Sequence, residues 1–284
     1  MTNALSIDIE DWYHAELVRK KVTESERRPF VVEGTNRILD LLKKHNVNAT
    51  FFVVGEVATA NPELIARIHA SGHEIGSHGF SHRPVFELSR EEFAAELDKF
   101  ANAMAKIVPE ARVVGFRAPT MSLDGRSPWA FSVLKDFGYR YDSSFLPSSA
   151  GLFGIRGTGS CPESIYTASN DDPTRPAEDG AILEFPLNVC TVAGFHVPVP
   201  GGFFLRVTPV SLLKRWLKRV NRHRPFVLYV HPWEVCPEIP RVNLSPAKRF
   251  VTYYNLGSTL DKLEQLLETF QFQPMANVLS LAGK

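Results

Sequence analysis

The chain has 284 residues, 44% of them hydrophobic and 22% charged, which is the make-up of a folded globular protein and excludes disorder, collagen and coiled coil. Thirty-two Lys and Arg offset 31 Asp and Glu, a net charge of +1, so bulk charge draws it neither to nucleic acid nor to an anionic membrane. Its three cysteines (Cys161, Cys190 and Cys236) are too few and too scattered for a disulfide framework or a thiolate zinc site.

Met1-Thr2-Asn3 runs directly into Ala4-Leu5-Ser6-Ile7-Asp8, without the basic segment and long apolar run of a secretory signal. No stretch of about 18 apolar residues could span a bilayer. The expected location is cytoplasmic, with membrane-peripheral attachment left open.

Leu5 to Ile9 reads as a strand ending in acidic residues. A helical stripe of Ile38, Leu39, Leu41 and Leu42 runs up to His45, and Ala49 to Val54 is a buried strand. Asn61-Pro62-Glu63 opens a helix that Gly72 ends, with Asn61 as the capping residue. His73 to Gly76 is a short strand. Ser89 and Glu92 have capping-box spacing and start a helix through about Val108. A strand at Val113 to Phe116, a helix at Pro128 to Phe137 and a strand at Tyr139 to Tyr141 follow. Residues 146–180 form an irregular insertion, rich in Gly, Pro, Ser and Asp. Ile182 to Leu187 is a strand and 198–202 a Pro/Gly-rich loop. A basic amphipathic helix runs from Pro209 to about His223, Phe226 to Val230 is an apolar strand, and Ser258 to Phe270 the last clear helix.

Strand–helix alternation over the whole length predicts an α/β fold. It would be a distorted (β/α) barrel of about seven parallel strands, TIM-barrel-like, forming a single domain. In such barrels reactive groups sit at the C-terminal ends of strands, where the polar clusters of this chain fall.

His78 and His82 lie four residues apart and would converge on one point in a helical turn; neutral imidazole is a common zinc ligand. Asp8, Glu10 and Asp11 close the first strand. Alternation puts Asp8 and Glu10 on one face, with Asp11 just beyond. Three crowded carboxylates repel unless a cation sits among them. One carboxylate and two histidines leave open positions on a divalent ion, the arrangement of a catalytic site. Arg117, at a strand end, could pair with a carboxylate. His231, leaving a buried strand, could act as general acid.

These segments resemble the polysaccharide deacetylase (NodB-homology) superfamily, carbohydrate esterase family four. The matching stretches are Asp8 to Asp11, Gly72-His73-Glu74-Ile75-Gly76-Ser77-His78-Gly79-Phe80-Ser81-His82, Arg117-Ala118-Pro119 and Val227-Leu228-Tyr229-Val230-His231. Asp8 to His14, Gly201 to Arg206 and His231-Pro232-Trp233-Glu234 also resemble an exosortase- and exopolysaccharide-associated subgroup, which makes roughly 200–284 a subgroup-specific part.

The resemblance implies a metal-dependent hydrolase removing N-acetyl groups from a sugar of a polysaccharide or glycan precursor. Its cofactor would be one divalent ion, with zinc expected and cobalt or nickel acceptable. Asp8 is then the base, oriented by Arg117, and His231 the acid. The backbone N–H of Thr120, which replaces the family's aromatic, is the oxyanion donor. His78, His82 and either Glu10 or Asp11 hold the metal. The resemblance also points to Glu184 as a partner of His231. Trp12, Tyr13 and Trp233 could stack on sugar rings, and His14 could be an extra ligand. Two other readings are a metal-free, allantoinase-like amide hydrolase on the same fold and a non-catalytic glycan-binding protein. Retention of His78 and His82 argues against the first, and of Asp8 and His231 against the second. No nucleic-acid partner is expected, and the sequence does not set an oligomeric state.

Overall fold

In the computed structural model of the chain, which describes residues 1–148, 161–192, 195–199 and 201–281, the apolar β-rich runs form one curled sheet. In chain order the strands and helices are β1 (Thr2–Ile9), α1 (Val31–Lys44), β2 (Thr50–Val53), α2 (Gly55–Ala60), α3 (Pro62–Ala70), β3 (Glu74–Ser77), α4 (Arg90–Ile107), β4 (Gly115–Phe116), α5 (Ala130–Asp136) and β5 (Tyr141–Asp142). They continue as β6 (Tyr166–Ala168), β7 (Ile182–Glu184), β8 (Val189–Val192), β9 (Phe195–Pro198), α6 (Gly202–Val207), α7 (Val210–Val220), β10 (Val227–Val230), α8 (Pro246–Tyr253), α9 (Thr259–Leu267), β11 (Gln271–Gln273) and α10 (Met275–Val278).

The sheet order is β10-β1-β2-β3-β4-β5-β7-β6. Every pair from β10 to β7 is parallel, which gives the seven parallel strands expected. Short β6 lies antiparallel on β7, so part of the stretch read as irregular is an edge strand. Residues 149–160 of that stretch lie outside the described residues. β11 pairs with the start of β1, and β8 and β9 form a separate hairpin. Between β7 and β10 no strand pairing occurs among the described residues. The Asn188 side chain donates to the Val227 carbonyl (2.8 Å), and Gly201 makes a single bridge to Tyr229. The barrel is therefore curled and barrel-like rather than closed by hydrogen bonds. Gly201 is required there: a Cβ would lie 1.8 Å from the Tyr229 carbonyl oxygen.

Alternation along the strands sorts their side chains into two layers. Leu5, Ile7 and Ile9 of β1, Phe51 and Val53 of β2, and Leu228 and Val230 of β10 pack outward against helices, in one cluster with Ile38, Leu42, Leu213 and Leu263. Ala4, Phe52, Val227 and Tyr229 point inward and meet Tyr141 and Phe185. Full burial of such side chains contributes about 1.5–3 kcal/mol each. Gly115 makes room for the Tyr141 ring, which would lie 2.1 Å from a Cβ at that position.

The capping box at α4 forms as read. Ser89 Oγ accepts from the Glu92 N–H (3.2 Å), and Glu92 Oε2 accepts from the Ser89 N–H (2.8 Å). Asn61 differs: its side-chain amide donates to the Val57 carbonyl (3.0 Å) and closes α2 instead of capping α3. The six residues of α2 are too few to show helical periodicity in the sequence.

Candidate active site

β1 carries Ser6 and Asp8 on the inward face that also holds Ala4, and β4 ends at Phe116, one residue before Arg117. The Arg117 guanidinium is fully buried between rings, 4.4 Å above Phe52 and 5.6 Å from Tyr229. Nη1 donates to Asp8 Oδ1 (2.7 Å) and Ser6 Oγ (2.8 Å), Nε to the Ser143 carbonyl (2.8 Å) and Nη2 to Ser143 Oγ (3.0 Å). Asp8 is 1% exposed, and its other oxygen lies 3.9 Å from His231 Nε2.

Glu10 follows β1, and His78 follows β3. His78 Nδ1 bonds the Arg117 carbonyl (2.7 Å), which turns Nε2 toward Glu10 Oε2, 3.9 Å away. The segment from His78 to His82 is a loop, not the helical turn that the spacing suggested. Left-handed backbone at Gly79 and His82 (φ 72° and 57°) bends the chain back, and His82 Nε2 meets Glu10 Oε2. One donor atom from each of Glu10, His78 and His82 lies within 4.8 Å of the others, and all three residues are buried. His82 Nε2 has no properly directed hydrogen-bond partner. Burial would raise the Glu10 carboxyl, but His82, His231 and His78 outweigh it and hold the group well below the usual range. Burial is also the main reason His78 falls to about 4, with the neighbouring His82 ring acting in the same direction. The His78 imidazole is thus neutral at pH 7.

His231 follows β10. Its Nδ1 sits 2.8 Å from Glu234 Oε2, and its Nε2 faces Asp8 and Glu10 at 3.9 and 3.7 Å. Burial lowers its affinity for a proton, but Glu234 and Glu10 more than compensate and lift the imidazole to about 9. Glu234 Oε1 accepts from Arg206 Nε (2.9 Å), and both side chains are almost wholly buried. The Trp233 ring lies nearly parallel to His231 (5.5 Å, 20°), and its Nε1 donates to Glu10 Oε1 (3.2 Å).

Other residues singled out in the sequence go elsewhere. Of the two carboxylates left open as a ligand, Asp11 is committed to the backbone. Oδ1 accepts from the Trp12 N–H (2.9 Å), and Oδ2 from the Phe30 and Val31 N–H groups (2.8 and 3.0 Å) at the start of α1. Geometry leaves Glu10. Trp12 is 1% exposed, packed in the outer core with its indole N–H on the Arg28 carbonyl (2.8 Å), so neither ring face is open to a sugar. Tyr13 is half-buried, with Arg27 over its ring at 5.5 Å. His14 Nδ1 accepts from the Asp11 N–H (2.9 Å), and its ring stacks on His82 at 5.1 Å. Glu184 does not reach His231. It is buried against Asp142, accepts from the Phe145 N–H (3.1 Å) and is raised well above the usual range by burial and by that second carboxylate.

Glu234 and Arg206 are the functional candidates that sequence reasoning assigned no role. The signal for Glu234 was its position three residues after His231, the N-cap-to-N3 spacing of a capping turn. Arg206 ends the Gly201–Arg206 stretch that carries the subgroup resemblance, but nothing local gave it a role, because it reaches Glu234 only through the fold.

A cavity of about 140 Å³ opens onto these groups. Asp8, Glu10, His78, His82, Thr120, His231 and Trp233 line it, and Phe203, Phe204 and Val251 form much of its apolar wall. Thr120 and Met121 both have left-handed backbone (φ 54° and 53°). For a β-branched residue such as Thr120 that costs about 1–2 kcal/mol, and strain of this kind concentrates at working sites. A buried carboxylate held by a cation, a three-donor cluster and a carboxylate-bound imidazole around one cavity suit proton transfer coupled to hydrolysis.

A family model described as polysaccharide deacetylase matches residues 27–141, and one described as a domain of unknown function (DUF3473) matches 143–280. Among curated proteins, the chain is 33% identical over 106 residues to an uncharacterized 30.6 kDa protein of Geobacillus stearothermophilus (37% of this chain, 39% of that one). It is 38% identical over 85 residues to a chitooligosaccharide deacetylase of Sinorhizobium fredii (30% and 40%) and over 82 residues to a peptidoglycan-N-acetylglucosamine deacetylase of Bacillus cereus (28% and 30%). The matches span at most two fifths of these relatives' length. A crystal structure from Mycobacterium smegmatis assigned to the polysaccharide deacetylases shares the fold. It covers 98% of this chain and 88% of its own at a TM-score of 0.61, with 18% identity.

Proposed function

The chain carries a polysaccharide deacetylase domain, and from that premise we propose that it is a metal-dependent hydrolase removing N-acetyl groups from a sugar of a polysaccharide or glycan precursor. The observation that carries this reading is the convergence of Asp8, the Glu10/His78/His82 cluster and His231 on one cavity.

The donor set fits a divalent ion. One carboxylate and two imidazoles make a three-ligand set with open positions. His82 Nε2 is buried without a directed partner, and the Nδ1 contact of His78 leaves its Nε2 lone pair facing the cluster. Glu10, His78 and His82 would hold the ion, which would polarise the acetyl carbonyl and make water more acidic. Zinc suits such mixed ligands, and cobalt or nickel could replace it.

Asp8, held by Arg117 through Oδ1, takes the proton of the attacking water. The Thr120 backbone N–H, on the cavity wall, donates to the oxygen that gains charge in the tetrahedral intermediate. His231 Nε2 gives its proton to the nitrogen as the C–N bond breaks, so amine and acetate leave. Trp233 serves as the wall beneath His231 rather than as an open sugar platform, and Trp12 has no contact with substrate. The resemblance of residues 201–206 and 231–234 to exopolysaccharide-associated deacetylases supports an exopolysaccharide as the glycan.

The test is free-acetate release across a panel of N-acetylated glycans, with chelator and then with added zinc, cobalt or nickel. Loss and recovery of activity is expected. Turnover indifferent to chelator would remove the metal from the reaction, and no acetate from any glycan would remove the reading.

A further inference from the structure

We propose that Glu234 and Arg206 form a positioning pair for His231, so that the segment matched only as a domain of unknown function builds the acid half of the catalytic centre. The inference rests on the deacetylase reading for the role of His231, but its geometry stands without it.

Glu234 uses both oxygens on cationic or polarised donors. Oε2 faces His231 Nδ1 (2.8 Å) and accepts from the His231 backbone N–H (3.2 Å), while Oε1 accepts from Arg206 Nε (2.9 Å). Arg206 is pinned in turn. Nη1 donates to the Tyr254 carbonyl (2.6 Å) and Nη2 to the Val251 carbonyl (2.9 Å), at the C-terminal end of α8. The turn that carries Arg206 is fixed by Lys262 Nζ, which donates to the carbonyls of Leu205, Arg206 and Thr208 (3.0, 2.7 and 2.9 Å). Three helices thus hold one carboxylate against one imidazole nitrogen.

The consequence is a fixed tautomer and a fixed ring plane. A carboxylate at Nδ1 keeps the proton there, so Nε2 is the nitrogen that exchanges protons with the cavity, where it faces Asp8 and Glu10. The Trp233 ring, parallel to the imidazole, restricts its tilt. No other carboxylate in the described site does this work: Asp142 and Glu184 are engaged with each other and with Ser144 and Phe145. Packing alone would not require both Glu234 oxygens to meet donors from opposite sides.

Glu234→Gln in the full chain tests the pair. An amide has one oxygen where the carboxylate has two, and it cannot accept from both Nδ1–H and Arg206. With the oxygen retained by the guanidinium, the amide N–H₂ faces Nδ1 and drives the imidazole proton to Nε2. Above about pH 9, where the His231 ring is neutral, its imidazole ¹⁵N resonances should show Nδ1–H in the unmodified protein and Nε2–H in the variant. Glycan kcat should fall about 10- to 100-fold, with KM and bound metal unchanged. Hydrolysis of 4-nitrophenyl acetate, whose phenolate leaves without a proton, should be retained. Arg206→Lys should keep more glycan activity than Arg206→Met; should the latter fail to fold, Glu234→Gln still decides. Equal loss on glycan and ester, or an unchanged tautomer with unchanged kcat, overturns the pair. Should the unmodified chain release no acetate from any glycan while the tautomer still switches, the positioning stands and the deacetylase reading falls.

Discussion

Arg117 Nη1 lies 2.7 Å from Asp8 Oδ1, in a salt bridge whose side chains are 0% and 1% exposed. The two residues are 109 positions apart in sequence and come together because β1 and β4 end at the same rim of the sheet. Because neither charge reaches water, each depends on the other. Arg117→Met should therefore cost about 3–5 kcal/mol in urea unfolding, by stranding a buried carboxylate. Asp8→Asn should fold, keep its metal and lose about 10²- to 10⁴-fold in turnover. The double variant should lose less stability than the two single losses combined. Strict additivity would show that Arg117 does not hold Asp8.

Glu10 and Asp11 are adjacent carboxylates with opposite expected behaviour. Glu10→Gln should remove bound divalent metal, measured by elemental analysis after dialysis, and leave the fold intact. Asp11→Ala should keep the metal but lose about 1–2 kcal/mol of stability, because two N–H groups at the start of α1 and the Trp12 N–H lose their acceptor. Metal loss in the Asp11 variant alone would reverse the assignment.

That contrast marks where the sequence stopped being legible. The seven parallel strands could be read because each is a short, apolar, β-rich run between helical or turn signals. The rim residues could be read because such strands present reactive groups at their C-terminal ends. Asp11 and Trp12 could not be placed, since one backbone step beyond Glu10 turns a side chain from cavity to helix cap or core. Arg206 and Glu234 meet only because the Gly201 bridge sets α6 against β10, a tertiary contact that no local pattern encodes.

Asp142 and Glu184 give a pH signature. Both are fully buried, and burial together with their mutual repulsion raises Glu184 far above an ordinary carboxyl, so one proton is held between them. Arg117 acts on Asp142 and Cys161 on Glu184, and burial and both carboxyls in turn raise Tyr166. A raised native pKa means that the folded protein binds more protons than the unfolded chain. The stabilisation is full below the unfolded carboxyl value and is lost as pH rises through the native one. Glu184→Gln, a permanently neutral stand-in, should become progressively more stable relative to the unmodified protein in melts from pH 5 to 9. A difference that does not change with pH would mean no shared proton.

Trp233 links His231 to Glu10. Its ring supports His231, and its N–H reaches Glu10 Oε1 (3.2 Å), leaving Oε2 for the histidines. Trp233→Phe keeps an aromatic ring in place but removes the only donor that this side chain offers. An outer partner of a ligating carboxylate orients it, and its loss typically weakens metal binding about 10- to 100-fold. Titration against a competing chelator should show a drop of that size, with ester hydrolysis at saturating metal reduced far less. Unchanged metal affinity would mean that Glu10 is oriented by its histidine neighbours alone and that the indole serves only as a wall.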